Sequence, residues 1–285
     1  MKLSNISALS RRQLLTGLGG ALAASAGMTA AIAQTSVFPP PVKLDVPYVP
    51  TPQDVVDRML ELVKVKSDDF VMDMGCGDGR ILVTAAAKYG ARGYGVDINP
   101  VRIEEANANA KKAGIADKVQ FEIKDLFKTP IEKASVIAMY LLPSVMLQLR
   151  PRILADMKPG SRLVSHDFHM DDWEPDYQES LTDHDIFYWV VPARAEGMWR
   201  LRAGGDTWSL SLRQKFQKLE GRIATDKVSG VIREGRIEGE RIRFNAVFND
   251  GRTLVFSGSI ANDQLVADKT SPPQIVPDWT ATRAN

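Results

Sequence analysis

From Phe70 to Phe168 the sequence alternates short apolar runs with stretches of helical period, and this alternation restricts the fold more than any other feature. The runs "FVMDM", "RGYGVDI", "KVQFEIKDL", "ASVIAMYLL" and "SRLVSHDF" read as strands, short apolar runs without helical period. Between them "GRILVTAAAKYG", "PVRIEEANANAKKAG" and "PSVMLQLRPRILADM" carry helical spacing. Strands separated by helices require right-handed crossovers, hence a parallel sheet covered on both faces. A helix precedes the first strand: Thr51 is placed to cap it, Pro52 to occupy its first position, and Val55, Val56, Met59, Leu60 and Val63 to form its apolar face. The expected fold is therefore α/β over residues 53–192.

Near Pro192 the texture changes. Runs such as "WSLSLRQKF", "RIRFNAVF" and "LVFSGSI" are separated by "REG", "NDG" and "AND". Turn signals at such short intervals predict a small antiparallel meander over 193–285, either a barrel or a sandwich. Trp199, Trp208 and Trp279 are expected to fill its core, and "FYWVV" (187–191) to be a buried strand.

Residues 1–33 resemble a twin-arginine (Tat) signal peptide: Arg11-Arg12 precedes a Gly/Ala-rich run that ends in Ala31-Ile32-Ala33. The resemblance implies an exported or periplasmic chain; an uncleaved tag would leave it cytoplasmic or membrane-anchored. Glycines and serines dilute residues 16–27 below the hydrophobicity of a spanning helix. A proline-rich linker follows at 34–52. Cleavage removes three positive charges and no acids, which takes the formal net charge from +1 to −2. That balance provides no basic excess for a nucleic acid. The single cysteine, Cys76, excludes an intramolecular disulfide framework and a multi-cysteine zinc site; it reads as a small loop residue rather than a nucleophile.

Ligands of open parallel sheets bind at the carboxyl ends of the strands. The loop after the first strand reads Asp73-Met74-Gly75-Cys76-Gly77-Asp78-Gly79. It lacks the last glycine of a dinucleotide fingerprint, where Arg80 stands, and the Gly-Lys-Ser/Thr of a phosphate loop. Gly75, Gly77 and Gly79 let a ligand lie on the backbone, and the acids Asp73 and Asp78 suit a cation better than a pyrophosphate. S-adenosylmethionine (AdoMet) has that chemistry, a nucleoside with an ammonium and a sulfonium and no phosphate. Asp97 closes the second strand, where a carboxylate can accept both ribose hydroxyls. Asp125 closes the third.

The D-x-G-x-G-x-G pattern resembles the first motif of the Rossmann-like methyltransferases. The resemblance implies AdoMet as cofactor and the adenine amino group as the partner of Asp125. "MYLLP" (139–143) departs from the Asn/Asp-Pro-Pro-aromatic motif of enzymes that methylate base amines or glutamine amides. "VPYVPTP", "DMGCGDGRI", "GVDINP", "YLLPSVM" and "HDFHMDDWEP" are similar to segments of protein-lysine methyltransferases that modify the membrane-embedded c subunit of ATP synthase. By that similarity Leu142-Pro143, Phe168 and Trp173 stand where the group carries its proline loop and aromatic segment, and a protein lysine is the expected acceptor, with a membrane protein as one candidate substrate. Tyr140 is then the candidate for orienting the amine, and Tyr48 and Thr51 for covering the cofactor. Two other functions fit the residues: methylation of a quinone or lipid-like small molecule, and a non-catalytic exported binding protein on the same scaffold. His166 and His169 beside Asp167 and Asp171 form a conceivable metal set, but the sequence favours a polar loop on the sheet rim, with no metal.

Overall fold

The computed structural model describes residues 48–269 and 275–284. The twin-arginine segment, and all of the proline-rich stretch before Tyr48, lie outside the described residues.

The first helix, α1 (Gln53–Leu62), leads into β1 (Phe70–Met74), and strands and helices then alternate: α2 (Arg80–Tyr89), β2 (Arg92–Asp97), α3 (Pro100–Lys112), β3 (Val119–Ile123), β4 (Val136–Met139), α4 (Pro143–Asp156) and β5 (Arg162–His166). The hairpin β6 (Tyr177–Leu181) and β7 (His184–Val190) completes a sheet of order β3-β2-β1-β4-β5-β7-β6. The first five strands are parallel, and β7 enters antiparallel to β5. This is the doubly wound sheet that the sequence pattern requires. Its order reverses between β1 and β4, so the ends of β1 and its neighbours frame a crevice.

Helix ends follow local chemistry. Asn99 caps α3 by accepting from Val101 N at 3.0 Å, with Pro100 next, and Gly114 closes it at φ +71°. Thr51 does not cap α1. Pro52 holds that position in extended geometry, and the Thr51 hydroxyl is spent on His166 Nδ1 at 3.2 Å. α4 runs through Pro151, which costs an internal hydrogen bond. Burial of Val145, Met146, Leu149 and Ile153 on one face of the helix offsets that loss.

The two faces of the sheet carry separate cores. Val71 of β1 packs with α1, α2 and α3; Met72 and Met74, pointing the other way, pack with α4 and with Trp173 and Trp189. The first helical face is anchored across its lower edge by a polar tie. Arg162 of β5 donates to the buried Asp69 carboxylate and to Val63 O (2.6 Å), and Ser135 Oγ donates to Asp69 at 2.7 Å.

From Gly197 eight consecutive strands run antiparallel and close on themselves: β8 (Gly197–Ala203), β9 (Asp206–Lys215), β10 (Lys218–Ala224), β11 (Ser229–Glu238), β12 (Arg241–Phe248), β13 (Thr253–Ala261), β14 (Gln264–Ala267) and β15 (Thr280–Arg283), with β15 pairing back to β8. Closure removes both sheet edges. Alternating positions point inward, as in β12, where Ile242, Phe244, Ala246 and Phe248 are buried. Phe244 and Phe256 stack at 4.9 Å, with Trp279 edge-on to Phe256 at 5.5 Å. The interior is thus a packed core, as the three tail tryptophans suggested. The β9–β10 turn meets the α/β part through Phe216, which stacks on Trp173 at 5.6 Å with the Arg150 guanidinium over its ring. Among the described residues no helix is long and apolar enough to cross a membrane.

Trp279 is fully buried among two aromatic rings. Trp279→Ala is expected to lower the unfolding free energy by about 3–5 kcal/mol, read by urea denaturation with far-UV dichroism. A loss below about 1 kcal/mol would contradict a close-packed barrel.

Candidate functional site

A cavity of about 310 Å³ opens at the carboxyl ends of β1, β2 and β3, within the range of small-molecule sites. Of the residues singled out in the sequence, Tyr48, Thr51, Asp73, Gly75, Gly77, Asp97, Asp125 and Tyr140 line it.

Its floor is the glycine loop. Gly75 and Gly77 have φ of +85° and +51°, where other residues are strained. The Gly75 and Cys76 N–H groups both donate to Val96 O at 2.9 Å, tying the loop to β2. A Cβ on Gly77 would stand 2.4 Å from the Tyr48 ring, so the close approach is to the tyrosine lid. Gly79 departs from the expectation, because it lies outside the cavity. It stands just before α2 at φ +75°, and a Cβ there would meet Phe121 and Ala106 at 2.7–2.9 Å. Its glycine serves the packing of helix on sheet, not ligand contact.

The three strand-end acids differ in their surroundings. Asp97 braces the loop: one oxygen accepts from Gly77 N at 3.0 Å and the other from Asn99 N at 2.9 Å. Each oxygen keeps a further lone pair for a ligand hydroxyl. Asp125 starts a 3-10 turn (Leu126–Lys128), accepting from Phe127 N at 2.8 Å, and lies 3.2 Å from Lys128 Nζ. Asp73 is 2% exposed. Burial above all, then the charges of Asp97 and Asp78, pushes its pKa up to about 8, and no hydrogen bond from the described residues offsets this. The same burial, with Asp73 and Asp97 nearby, pushes the Cys76 thiol far up, which leaves it protonated and non-nucleophilic.

Asp78, read from the sequence as a second attractant for a cation, is already paired. Arg80 binds both of its oxygens, at 3.0 and 2.7 Å, and holds the Asp78 carboxyl below the usual range against its burial. Arg80 also donates to Thr51 O at 2.8 Å, so this pair fastens the α1 entry to the loop. The Arg102 guanidinium sits 4.3 Å from the centre of the Tyr48 ring and steadies it over Gly77. Sequence reasoning missed Arg80 and Arg102 in these roles. A charged residue directly after the glycine loop was the available signal for the first, and nothing marked the second.

The far wall is Tyr140. Its hydroxyl donates to Asp167 Oδ2 at 3.2 Å, its ring lies 3.9 Å from that of His166, and it stacks at 6.0 Å on Phe168. Burial and the Asp167 charge raise its pKa, so it stays a neutral phenol. His166 is fully buried, and that burial lowers its pKa to about 4 against the opposing charge of Asp167. His169 and Asp171 do not join this group. The Asp171 N–H is donated to His169 Nδ1 at 3.0 Å, and the His169 ring lies against Phe187.

Comparison with known proteins agrees with this geometry. The family described as "ANTKMT methyltransferase domain" matches residues 73–177. A protein-lysine N-methyltransferase of Saccharolobus islandicus (strain REY15A) is 42% identical over 151 residues, which cover 51% of this chain and 94% of the relative. A human lysine N-methyltransferase named for the c subunit of ATP synthase is 31% identical over 165 residues, 58% of this chain and 68% of the relative. A crystal structure described as an RNA methyltransferase from Salinibacter ruber in complex with S-adenosyl-L-homocysteine is 47% identical, covers 52% of this chain and 96% of its own, and superposes with a TM-score of 0.51. A loop of left-handed glycines between a buried acid and the Asp97 brace, in a chain that matches nearly the full length of the archaeal and Salinibacter relatives, identifies it as a member of the S-adenosylmethionine-dependent methyltransferases that carry the ANTKMT-type domain.

Proposed function

We propose that the protein transfers the methyl group of AdoMet to the ε-amine of a protein lysine. The observation that carries this reading is the pairing of a buried acid, Asp73, with a half-buried phenol, Tyr140, in the walls of one cavity. Asp73 is a buried carboxyl with no donor among the described residues, which fits the ammonium of AdoMet. Asp97 fits the ribose diol, and the Asp125 carboxylate, at the same rim, fits the adenine amino group. When bound, AdoMet supplies an electrophilic methyl on its sulfonium.

The acceptor needs three things from the chain: loss of a proton, alignment and exclusion of water. A lysine ammonium starts from a pKa of about 10.4 and cannot attack while charged. Entry into a pocket walled by Tyr140, Leu141 and Phe127 strips its water and lowers that value. Tyr140 spends its proton on Asp167, so its oxygen presents lone pairs to the amine N–H and turns the nitrogen lone pair toward the methyl. Tyr48 covers the cofactor side.

The archaeal and human relatives, both named as lysine N-methyltransferases, support this acceptor. The Salinibacter relative is named for RNA. The formal charge of this chain, +1 overall, does not favour a polyanion.

Two outcomes follow. Asp97→Ala removes the ribose partner and the loop brace together and is expected to weaken AdoMet binding at least about tenfold by calorimetry; unchanged affinity would sink the assigned pocket. Incubation with AdoMet and a mixture of lysine-rich protein and structured RNA, followed by mass spectrometry, is expected to find methyl groups on lysine nitrogens. Methyl groups on RNA alone would refute the acceptor assignment.

A further inference from the structure

Behind Tyr140 the start of β7 brings His184 beside two consecutive residues at the end of β5, His166 and Asp167. His166 Nε2 lies 2.8 Å from His184 Nδ1 and 3.3 Å from Asp167 Oδ2, and His184 Nδ1 lies 3.4 Å from the same oxygen. An imidazole nitrogen offers one in-plane direction. His184 Nδ1 also reaches Asp167 Oδ2 as a long hydrogen bond at 3.4 Å, and a proton on that nitrogen cannot serve this bond and the short nitrogen–nitrogen edge equally well. One cation at a common distance satisfies all three atoms at once.

The dimensions agree. Donors ~2.1 Å from an ion stand roughly 3.0 Å apart at a right angle and roughly 3.4 Å apart at the tetrahedral angle. The observed edges give a circle of radius about 1.8 Å, which puts such an ion about 1 Å off the donor plane.

We propose that His166, Asp167 and His184 bind a divalent first-row transition-metal ion through a two-histidine, one-carboxylate face. The surrounding bonds are those that such ligands require. Thr51 Oγ1, 3.2 Å from His166 Nδ1, is placed to accept that ring's proton in the tautomer that leaves Nε2 free to ligate. Asp185 N donates to Asp167 Oδ1 at 3.1 Å and Tyr140 to Oδ2, which fixes the carboxylate. Asp167 has φ +60°, a left-handed conformation that costs a non-glycine residue about 1 kcal/mol or more. The Asp167 N–H bond to Asp185 O at 2.7 Å holds it there, with the carboxylate on the histidines. His166 is fully buried, whereas the side chains of Asp167 and His184 are 25% and 31% exposed, so the open side of the face reaches solvent and leaves positions for water. Thr51 and Tyr140 also wall the cofactor cavity, so an ion here would set the walls between which the acceptor sits.

The test is independent of the methyl acceptor. The full chain, purified without a histidine tag and freed of metal by chelation, is titrated with Co²⁺ while visible d–d absorption and thermal unfolding are followed. The expected result is a saturable spectrum at a single equivalent and a raised melting temperature, both lost in His184→Ala and kept in His169→Ala. Thr51→Ala, which removes only an outer partner, should weaken Co²⁺ about 10–100-fold. Because His184 is partly exposed, its alanine variant is expected to fold, and far-UV dichroism checks this. Absence of a saturable spectrum in folded protein, or equal Co²⁺ affinity in His184→Ala, would overturn the site.

Discussion

A carboxyl group buried without a donor is the constraint around which this site is built. Asp73 lies near the end of β1, is almost wholly buried at the cavity wall and receives no hydrogen bond from the described residues. Left ionised it would cost several kcal/mol, and the fold answers by holding its proton up to about pH 8. Everything near it serves access to that group. The left-handed glycines bring backbone rather than side chains over it, and Asp97 locks the loop to β2 and to the start of α3. Of the two other acids nearby, Asp78 is paired with Arg80, and the charge of Asp97 acts more strongly on Asp73 than that of Asp78.

The barrel solves a different problem. Eight strands closed on themselves expose no sheet edge, and their interior is filled with aromatic rings rather than shaped around a ligand. Its contact with the α/β part is made through Phe216, Trp173 and Arg150, with Gln217 Nε2 donating to Glu174 O at 2.7 Å. Trp173 follows β5 in the segment that carries His166 and Asp167, so the barrel presses on the segment that also walls the cavity.

Much of this was legible from residue order. The five parallel strands, their helices and the antiparallel meander follow from periodicity and turn chemistry, which act over a few residues; that the meander closes as a barrel and not a sandwich is set by the pairing of β15 with β8. The acids at 73, 97 and 125 were legible because each closes a strand, and strand ends are where such sheets bind. Contacts set by the fold were not legible. Thr51 looks like a cap until His166, 115 residues away, takes its hydroxyl. Gly79 looks like part of the ligand loop, and Phe121 and Ala106 give it a packing role instead. His169 is nearer to His166 in sequence than His184 is, but the antiparallel β5–β7 register brings His184 beside it.

The central claim is that Asp73 receives the ammonium of AdoMet, and the pH dependence of AdoMet affinity tests it most directly. Binding needs Asp73 ionised, and in the free protein this carboxyl holds its proton up to about pH 8. Affinity should therefore rise about tenfold per unit as pH increases toward 8, with a proton released on binding. It should fall again above the ligand's own α-amino pKa, near 7.7–8.0 in model compounds, roughly where the carboxyl becomes free. In Asp73→Asn the rising limb should disappear and affinity should be uniformly weaker. A flat profile in the wild-type chain, or an unaltered rising limb in Asp73→Asn, would contradict the account.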